Sequence, residues 1–425
     1  MKKTSLLLLI TLFSFSGLSL FAGGSAETAT DNTLPVSIGG VIIAEPDYSR
    51  NVGVAYGGED LDTSVPGSYG YMEEEGDRIT IYDYDGMPFT FTKGSVKRII
   101  NLWPANTAGA LALGAEEFFV AKLDRMVNPW QELMFPRYST LENSFPPAAG
   151  PANVEALMAL EPDLIIGHPT NVESLRTAGY NGRQLPVINI NFTTYQEMKV
   201  TYRVLGIILG GEVQERGEAW GRMLQENIDR VQKGLSGTSV RPVVYYTSGG
   251  ASGLDSTMSS SANSVVMNEW TSYAGGKYWP ELMRVLKKDI FKSRSIVNVE
   301  MILKYPPQKI FIGGGRNTDV DAVLSNTDPS TNPWAGVIAD LGEENIRYMP
   351  YALFDWGRFG AESVLQILWA AVNIHPEIFA DPKSDHYIDM VGETKTFYTD
   401  FVGFPITDAQ VDDILNGRLP GSTGN

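Results

Sequence analysis

Apolar and polar residues alternate through "RITIYDYDGMPFTFTKG", on both sides of Asp85-Gly86. A period of two broken by Asp-Gly predicts a β-hairpin. The alternation then stops. "VKRIINLW" is almost continuously apolar, the mark of a strand buried on both faces. It runs into Trp-Pro-Ala-Asn-Thr and an Ala/Leu-rich stretch that predicts a helix ending near Gly114, followed by another short strand. In "NVEALMALEPDLIIGHP", Val154, Leu157, Met158 and Leu160 recur at helical spacing and Pro162 ends the helix. "DLIIG" and "LPVINI" are further short apolar strands. Apolar strands alternating with helices predict a parallel sheet covered on both faces.

From Thr194 to Leu235 the pattern is helical throughout, with a pause at Gly210-Gly211. The second piece would span roughly 36 Å at about 1.5 Å per residue. The αβ rhythm returns in "RPVVYYTSGG", in "IVNVEMILKYPPQKIFIGGG", which repeats the helix-proline-strand order, and in "NIRYMPY" and "AESVLQILWAAVNIHPEIF". "TDAQVDDILNG" reads as a capped final helix. The expected fold is therefore α/β: two Rossmann-like lobes with parallel sheets, joined by one long backbone helix. The expected organisation is a leader over 1–26, an N-terminal extension over 27–77 and an N-terminal αβ lobe over 78–193. Linking helices over 194–236 and a C-terminal αβ lobe over 237–425 complete it.

The start of the chain changes the setting. Lys2 and Lys3 precede an apolar run from Leu6 to Leu20, and small residues follow in "FAGGSAET". This predicts a secretory signal peptide cleaved near residues 22–26. The absence of cysteine excludes a lipid on an N-terminal Cys, so the expected location is free in the periplasm. The chain carries 33 Lys and Arg against 50 Asp and Glu, a formal charge of −17. That balance argues against nucleic acid and anionic lipid as partners. A monomer is expected.

In order along the chain, "LWPANTAGALALG", "VEALMALEPDLIIG", the long central helix, "VNVEMILKYPPQKIFIGG" and "FYTDFVGFPITDAQVDDIL" resemble the helical-backbone class of periplasmic solute-binding proteins. The first is similar to the vitamin B12-binding branch and the last to the iron-complex branch. The resemblance covers roughly Arg78 to Leu415. It implies a ligand cleft between the lobes, a central helix that limits hinge motion, and delivery to an ABC permease in the inner membrane. It also implies two docking glutamates, at positions where this chain has Ala108 and Ser272. Glu269, Glu116 and Glu117 are the expected substitutes.

Ligand residues are expected on loops leaving the strand ends. Those candidates are Trp103, Asn106, His168 and Asn171, with Trp130, Met134, Arg137 and Tyr138 from "NPWQELMFPRYSTLENSF" read as a long loop. The second lobe offers Ser248, Ser252, Arg316, Asp355, Trp356 and Arg358. Arginines bind carboxylate or catecholate oxygens in forks, and aromatics cover apolar ligand faces. The set suits a bulky anionic or chelated ligand, with Arg137, Arg316 and Arg358 neutralising a ferric chelate of siderophore type. A haem, a corrinoid or a molybdate-like oxyanion is the alternative. A bare metal site is not expected, because His168, His375 and His386 lack ligand spacing. No intrinsic cofactor is expected. "GGASGLDS" lacks the last glycine of a nucleophile elbow and "FIGGGRNTD" lacks the Lys-Ser/Thr of a phosphate loop, so an exported enzyme is the remote reading.

Overall fold

The computed structural model describes residues 36–38, 41–43, 61–248, 257–260, 265–286, 295–316 and 318–422. The expected leader lies outside the described residues. Strands β1 (Val36–Ile38) and β2 (Val41–Ile43) pair antiparallel. Strands β3 (Met72–Glu75), β4 (Arg78–Tyr82) and β5 (Pro88–Thr92) form an antiparallel meander. Its register pairs Tyr82 with Pro88 across the expected Asp85-Gly86 turn, where Gly86 has φ 72°. Asp83 Oδ1 holds the turn by accepting the N–H groups of Asp85 and Met87, each at 3.0 Å. β3 lies inside the segment read as an extension, so the meander begins before Arg78.

The N-terminal αβ unit runs β6 (Ile99–Asn101), α1 (Pro104–Ala112), β7 (Lys122–Leu123), α2 (Pro129–Met134), α3 (Pro136–Ser139) and β8 (Ser144–Phe145). It continues through α4 (Val154–Ala159), β9 (Leu164–Ile166), α5 (Val172–Ala178) and β10 (Val187–Ile188). Its parallel sheet has the order β10-β9-β6. Successive side chains alternate between two apolar layers: Ile99, Leu164, Ile166 and Ile188 enter one, and Ile100, Ile165 and Val187 the other. That is why the strands read as unbroken apolar runs. The meander shields the β10 end of the sheet, where the Tyr84 N–H donates to the Asn189 carbonyl at 2.9 Å.

Helices α6 (Tyr195–Leu209) and α7 (Gly211–Leu235) follow. They fold back on each other through Gly210 (φ 70°) and Gly211 (φ 55°). The linker is thus a helical hairpin in which α7 supplies the expected long helix. Close packing depends on glycine, since a Cβ on Gly217 would strike the Tyr202 carbonyl.

The C-terminal unit runs β11 (Val243–Ser248), β12 (Thr257–Ser260), α8 (Val265–Tyr273), β13 (Lys277–Tyr278), α9 (Trp279–Leu286) and β14 (Ser295–Asn298). Next come α10 (Val299–Lys304), β15 (Lys309–Gly313), α11 (Thr318–Ser325), α12 (Ala335–Leu341) and β16 (Ile346–Tyr348). Helices α13 (Ser363–Ile374), α14 (Pro376–Phe379), α15 (Met390–Thr396) and α16 (Asp408–Leu415) close the chain. The parallel sheet has the order β13-β11-β15-β16. The antiparallel pair β12–β14 has no counterpart in the sequence reading. One apolar core runs without interruption through both units and the hairpin, including Ile99, Tyr195, Trp220, Leu224, Trp270, Phe311 and Trp369.

Candidate functional site

Between the two units lies a cavity of about 200 Å³. Pro104 and Thr107 of α1, with Leu123, Met126, Asn128, Gln131 and Tyr138, form one wall. Gly314, just past β15, forms the other with Tyr351, Leu353, Phe354, Asp355 and Arg358 of the loop between β16 and α13. The cavity therefore sits beyond the carboxyl end of β15, where open α/β sheets bind ligands.

Helix α2 and its cap bridge the two walls. Asn128 caps α2, its Oδ1 accepting the Gln131 N–H at 3.0 Å, and its Nδ2 donates to the Ala352 carbonyl at 2.9 Å. Gln131 Nε2 donates to the Leu353 carbonyl at 2.8 Å, and Trp130 Nε1 to the Arg418 carbonyl at 2.9 Å. These bonds fix one wall against the other.

Charge in the cavity is sparse. Asp355 is buried, and its acceptors are occupied: Oδ2 takes the Tyr246 hydroxyl at 3.0 Å and Oδ1 the Gly357 N–H at 2.8 Å. Burial pushes its carboxyl above the usual range, although the Gly357 N–H and the nearby Arg358 favour the charged form. Arg358 is 57% exposed with Nε 3.9 Å from Asp355 Oδ2, so its guanidinium edge is open to a ligand. Burial pushes the Tyr138 phenol up to about 12 and raises that of Tyr351, so both are neutral donors at pH 7. Among the described residues, no three His, Cys, Asp or Glu side chains cluster to hold a metal ion.

The sequence matches the profile of the periplasmic binding protein family over residues 100–330, more than half of the chain. The chain belongs to the periplasmic binding protein family. No curated protein matches it in sequence. Its fold is similar to a periplasmic solute-binding protein from Veillonella parvula, with TM-score 0.61, 20% identity, and 80% of this chain and 97% of that one covered. It is also similar to Helicobacter pylori CeuE in a Ni–His complex, with TM-score 0.56, 19% identity and coverage of 80% and 99%. Molybdate-bound MolA of Haemophilus influenzae gives 0.58, 16%, 77% and 99%. The protein is thus the solute-binding component of an ABC importer, a non-enzymatic and extracytoplasmic partner of a membrane permease. No helix of the described residues is long and apolar enough to cross a membrane.

In this binding protein, Tyr138, Asp355 and Arg358 of the expected ligand residues line the cavity. The others that the structure describes stand elsewhere. Trp103 and Asn106 flank the two α1 residues that do line it. Trp103 packs on Phe192 with ring centroids 4.4 Å apart. Asn106 is fully buried, accepting from Asn101 at 2.9 Å and donating to the Ile190 carbonyl at 3.1 Å. Trp130 is fully buried in its cross-lobe bond, and Met134 is buried beside it. Arg137 caps a turn: it donates to the Glu116 carbonyl at 2.7 Å and pairs with Glu117 at 2.9 Å. His168 bonds Thr170 at 2.8 Å, and burial pushes its imidazole pKa down. Asn171 donates to the Ala149 carbonyl at 2.6 Å. Arg316 pairs with Asp321 at 2.9 Å and lies over the Tyr348 ring at 5.1 Å, in a different cavity of the C-terminal unit. Trp356 is 1% exposed. The Ser248 side chain and Ser252 lie outside the described residues.

The docking acids need a correction as well. Glu269 is 4% exposed and accepts the Tyr195 N–H at 2.6 Å, so it caps α6 and cannot meet a permease. Ala108 and Ser272 are equally buried, which leaves no surface at either position for an acid. Glu116 accepts the Tyr138 N–H at 2.8 Å, and Glu117 is exposed in its pair with Arg137.

Asn128 and Gln131 were missed because their segment reads as a loop. The signal was present: Asn before Pro at the start of "NPWQELM" is a helix N-terminus.

Proposed function

We propose that the interlobe cavity captures a compact anionic metal chelate, a small member of the ferric-chelate class, for delivery to the permease. The observation that carries this reading is the pairing of a small cavity with the half-exposed guanidinium of Arg358, which is 57% exposed beside its loose ion pair with Asp355. Pockets for drug-sized ligands measure roughly 300–1,000 Å³. A cavity of about 200 Å³ whose walls are bridged by bonds from α2 favours a smaller guest than haem or a corrinoid. Arg358 supplies a fork for ligand oxygens, while Tyr351 offers a neutral polar contact. A metal that is already ligated suits these contacts, and among the described residues no three His, Cys, Asp or Glu side chains cluster to hold a bare ion. A bare oxyanion is the second reading, favoured by the same small volume.

A leader cleaved near residues 22–26 and an unanchored receptor in the periplasm belong to this reading.

Tryptophan fluorescence titration tests it, with ferric citrate, a ferric bis-catecholate, molybdate, haem and cobalamin as probes. A small ferric chelate should bind tightest. Tight haem or cobalamin binding, with none of the small anions bound, would sink the proposal. Arg358→Ala should weaken the chelate at least about tenfold, the low end for a hydrogen bond to a charged group. An unchanged affinity removes Arg358 from the site.

A further inference from the structure

The loop carrying Tyr351 to Arg358 is held from below by α13. Glu362, the residue before that helix, is 1% exposed. Its Oε1 accepts the Leu353 N–H at 2.7 Å and faces the Phe354 N–H at 3.4 Å. The Tyr398 hydroxyl donates to the same oxygen at 3.0 Å. Gln366 stands one turn further on the same helix face. It donates to the Trp356 carbonyl and accepts the Tyr195 hydroxyl at 2.9 Å. The middle of the cavity loop is thus tied at Leu353, Phe354 and Trp356 to α13 and the residue before it, and through Gln366 to Tyr195, the first residue of α6.

The Leu353 residue is held from both sides. Its N–H is fixed by Glu362 and its carbonyl by Gln131 of the opposite lobe. Burial pushes the Glu362 carboxyl up to about 7, and its Oε2 has no hydrogen-bond partner. A buried carboxyl in that state is a poor source of stability, and an apolar side chain often serves as well. What an apolar side chain lacks is an acceptor that orients the Leu353 N–H. We propose that Glu362 is a positioning residue of the ligand cleft: it sets the Leu353–Phe354 main chain so that the wall faces the cavity and the Leu353 carbonyl meets Gln131.

This inference rests on the reading of the cavity as the ligand site, so its test has one arm that needs no ligand. Amide hydrogen exchange is followed on the full chain for the parent, Glu362→Leu and Glu362→Gln. Glu362→Leu should speed exchange at Leu353 and Phe354 by about tenfold or more, with α6 and α7 unchanged. Glu362→Gln, whose Oε1 still accepts, should stay within about threefold of the parent. Unchanged exchange in Glu362→Leu, or equal acceleration in both variants, overturns the proposal. If Glu362→Leu fails to fold, Glu362→Asp replaces it. That variant keeps the carboxyl group but withdraws it by one methylene, and the same local acceleration is expected. In the second arm, ferric chelate affinity should fall about tenfold in the disrupting variant and recover in Glu362→Gln. Should the parent bind none of the probes, the ligand reading fails, while the exchange result still decides the role of Glu362.

Discussion

Replacing Arg176 by Met should lower global stability by about 3–5 kcal/mol, the usual effect of removing one partner of a buried ion pair. Arg176 on α5 is 8% exposed and Asp83 is 1% exposed. One guanidinium nitrogen meets Asp83 and the other lies 2.6 Å from Asp85 Oδ2. The Asp83 carboxylate also accepts the N–H groups of Asn189, Asp85 and Met87. Burial already pushes its pKa up against these favourable contacts. Without Arg176 the carboxylate is left buried and uncompensated, at the joint between the meander and the first αβ unit. Urea unfolding measures the loss. Adding Asp83→Asn should restore part of it, because the stranded charge is then gone. A loss below about 1 kcal/mol would place the pair among surface ion pairs in strength.

Glu269→Gln should make the protein more stable than the parent at pH 9 by a few kcal/mol, and equal to it near pH 4. Burial, opposed by the Tyr195 N–H and aided by the charge of Glu197, raises the Glu269 pKa to about 8. The unfolded chain releases that proton near the ordinary glutamate value of about 4.3. Between those two values the native state binds more protons than the unfolded state, so stability falls as pH rises, by up to about 1.4 kcal/mol per unit. Above pH 8 the loss is complete. Glu362, raised to about 7, adds a second slope over the lower part of the same window. Glutamine keeps the oxygen that accepts the Tyr195 N–H and cannot ionise. Urea unfolding from pH 4 to 9 should show a shallower decline in the variant. Parallel curves would mean that Glu269 is not the titrating group.

The alternation of apolar and polar residues located most strands and long helices, because period two and period 3.6 are local properties of the chain. The Asp85-Gly86 hairpin is an example, while the stretch read as one helix through Phe379 is divided at His375-Pro376. The site was legible only in outline. A strand-end position places a residue near the cleft, but helical rotation of about 100° per residue decides where it points. Pro104 and Thr107 therefore line the cavity, while Trp103 and Asn106 turn into packing. Two of the three arginines stand away from the cavity for another reason. A guanidinium on a loop takes any carbonyl or carboxylate within reach, and Arg137 and Arg316 found theirs in Glu116, Glu117 and Asp321. No sequence period announces such partners, just as none links Arg176 to Asp83 across 93 positions.

The uninterrupted core has a bearing on transport. In a receptor whose lobes meet only through a hinge, thermal motion opens the cleft and the ligand leaves unaided. Here Tyr195, Trp220, Trp270 and Trp369 belong to one packed body, and α2 is bonded to the opposite wall. Separating the walls breaks those bonds and exposes apolar surface at roughly 25 cal/mol per Å². Any opening of this cavity therefore has to break bonds between its walls as well as move them apart.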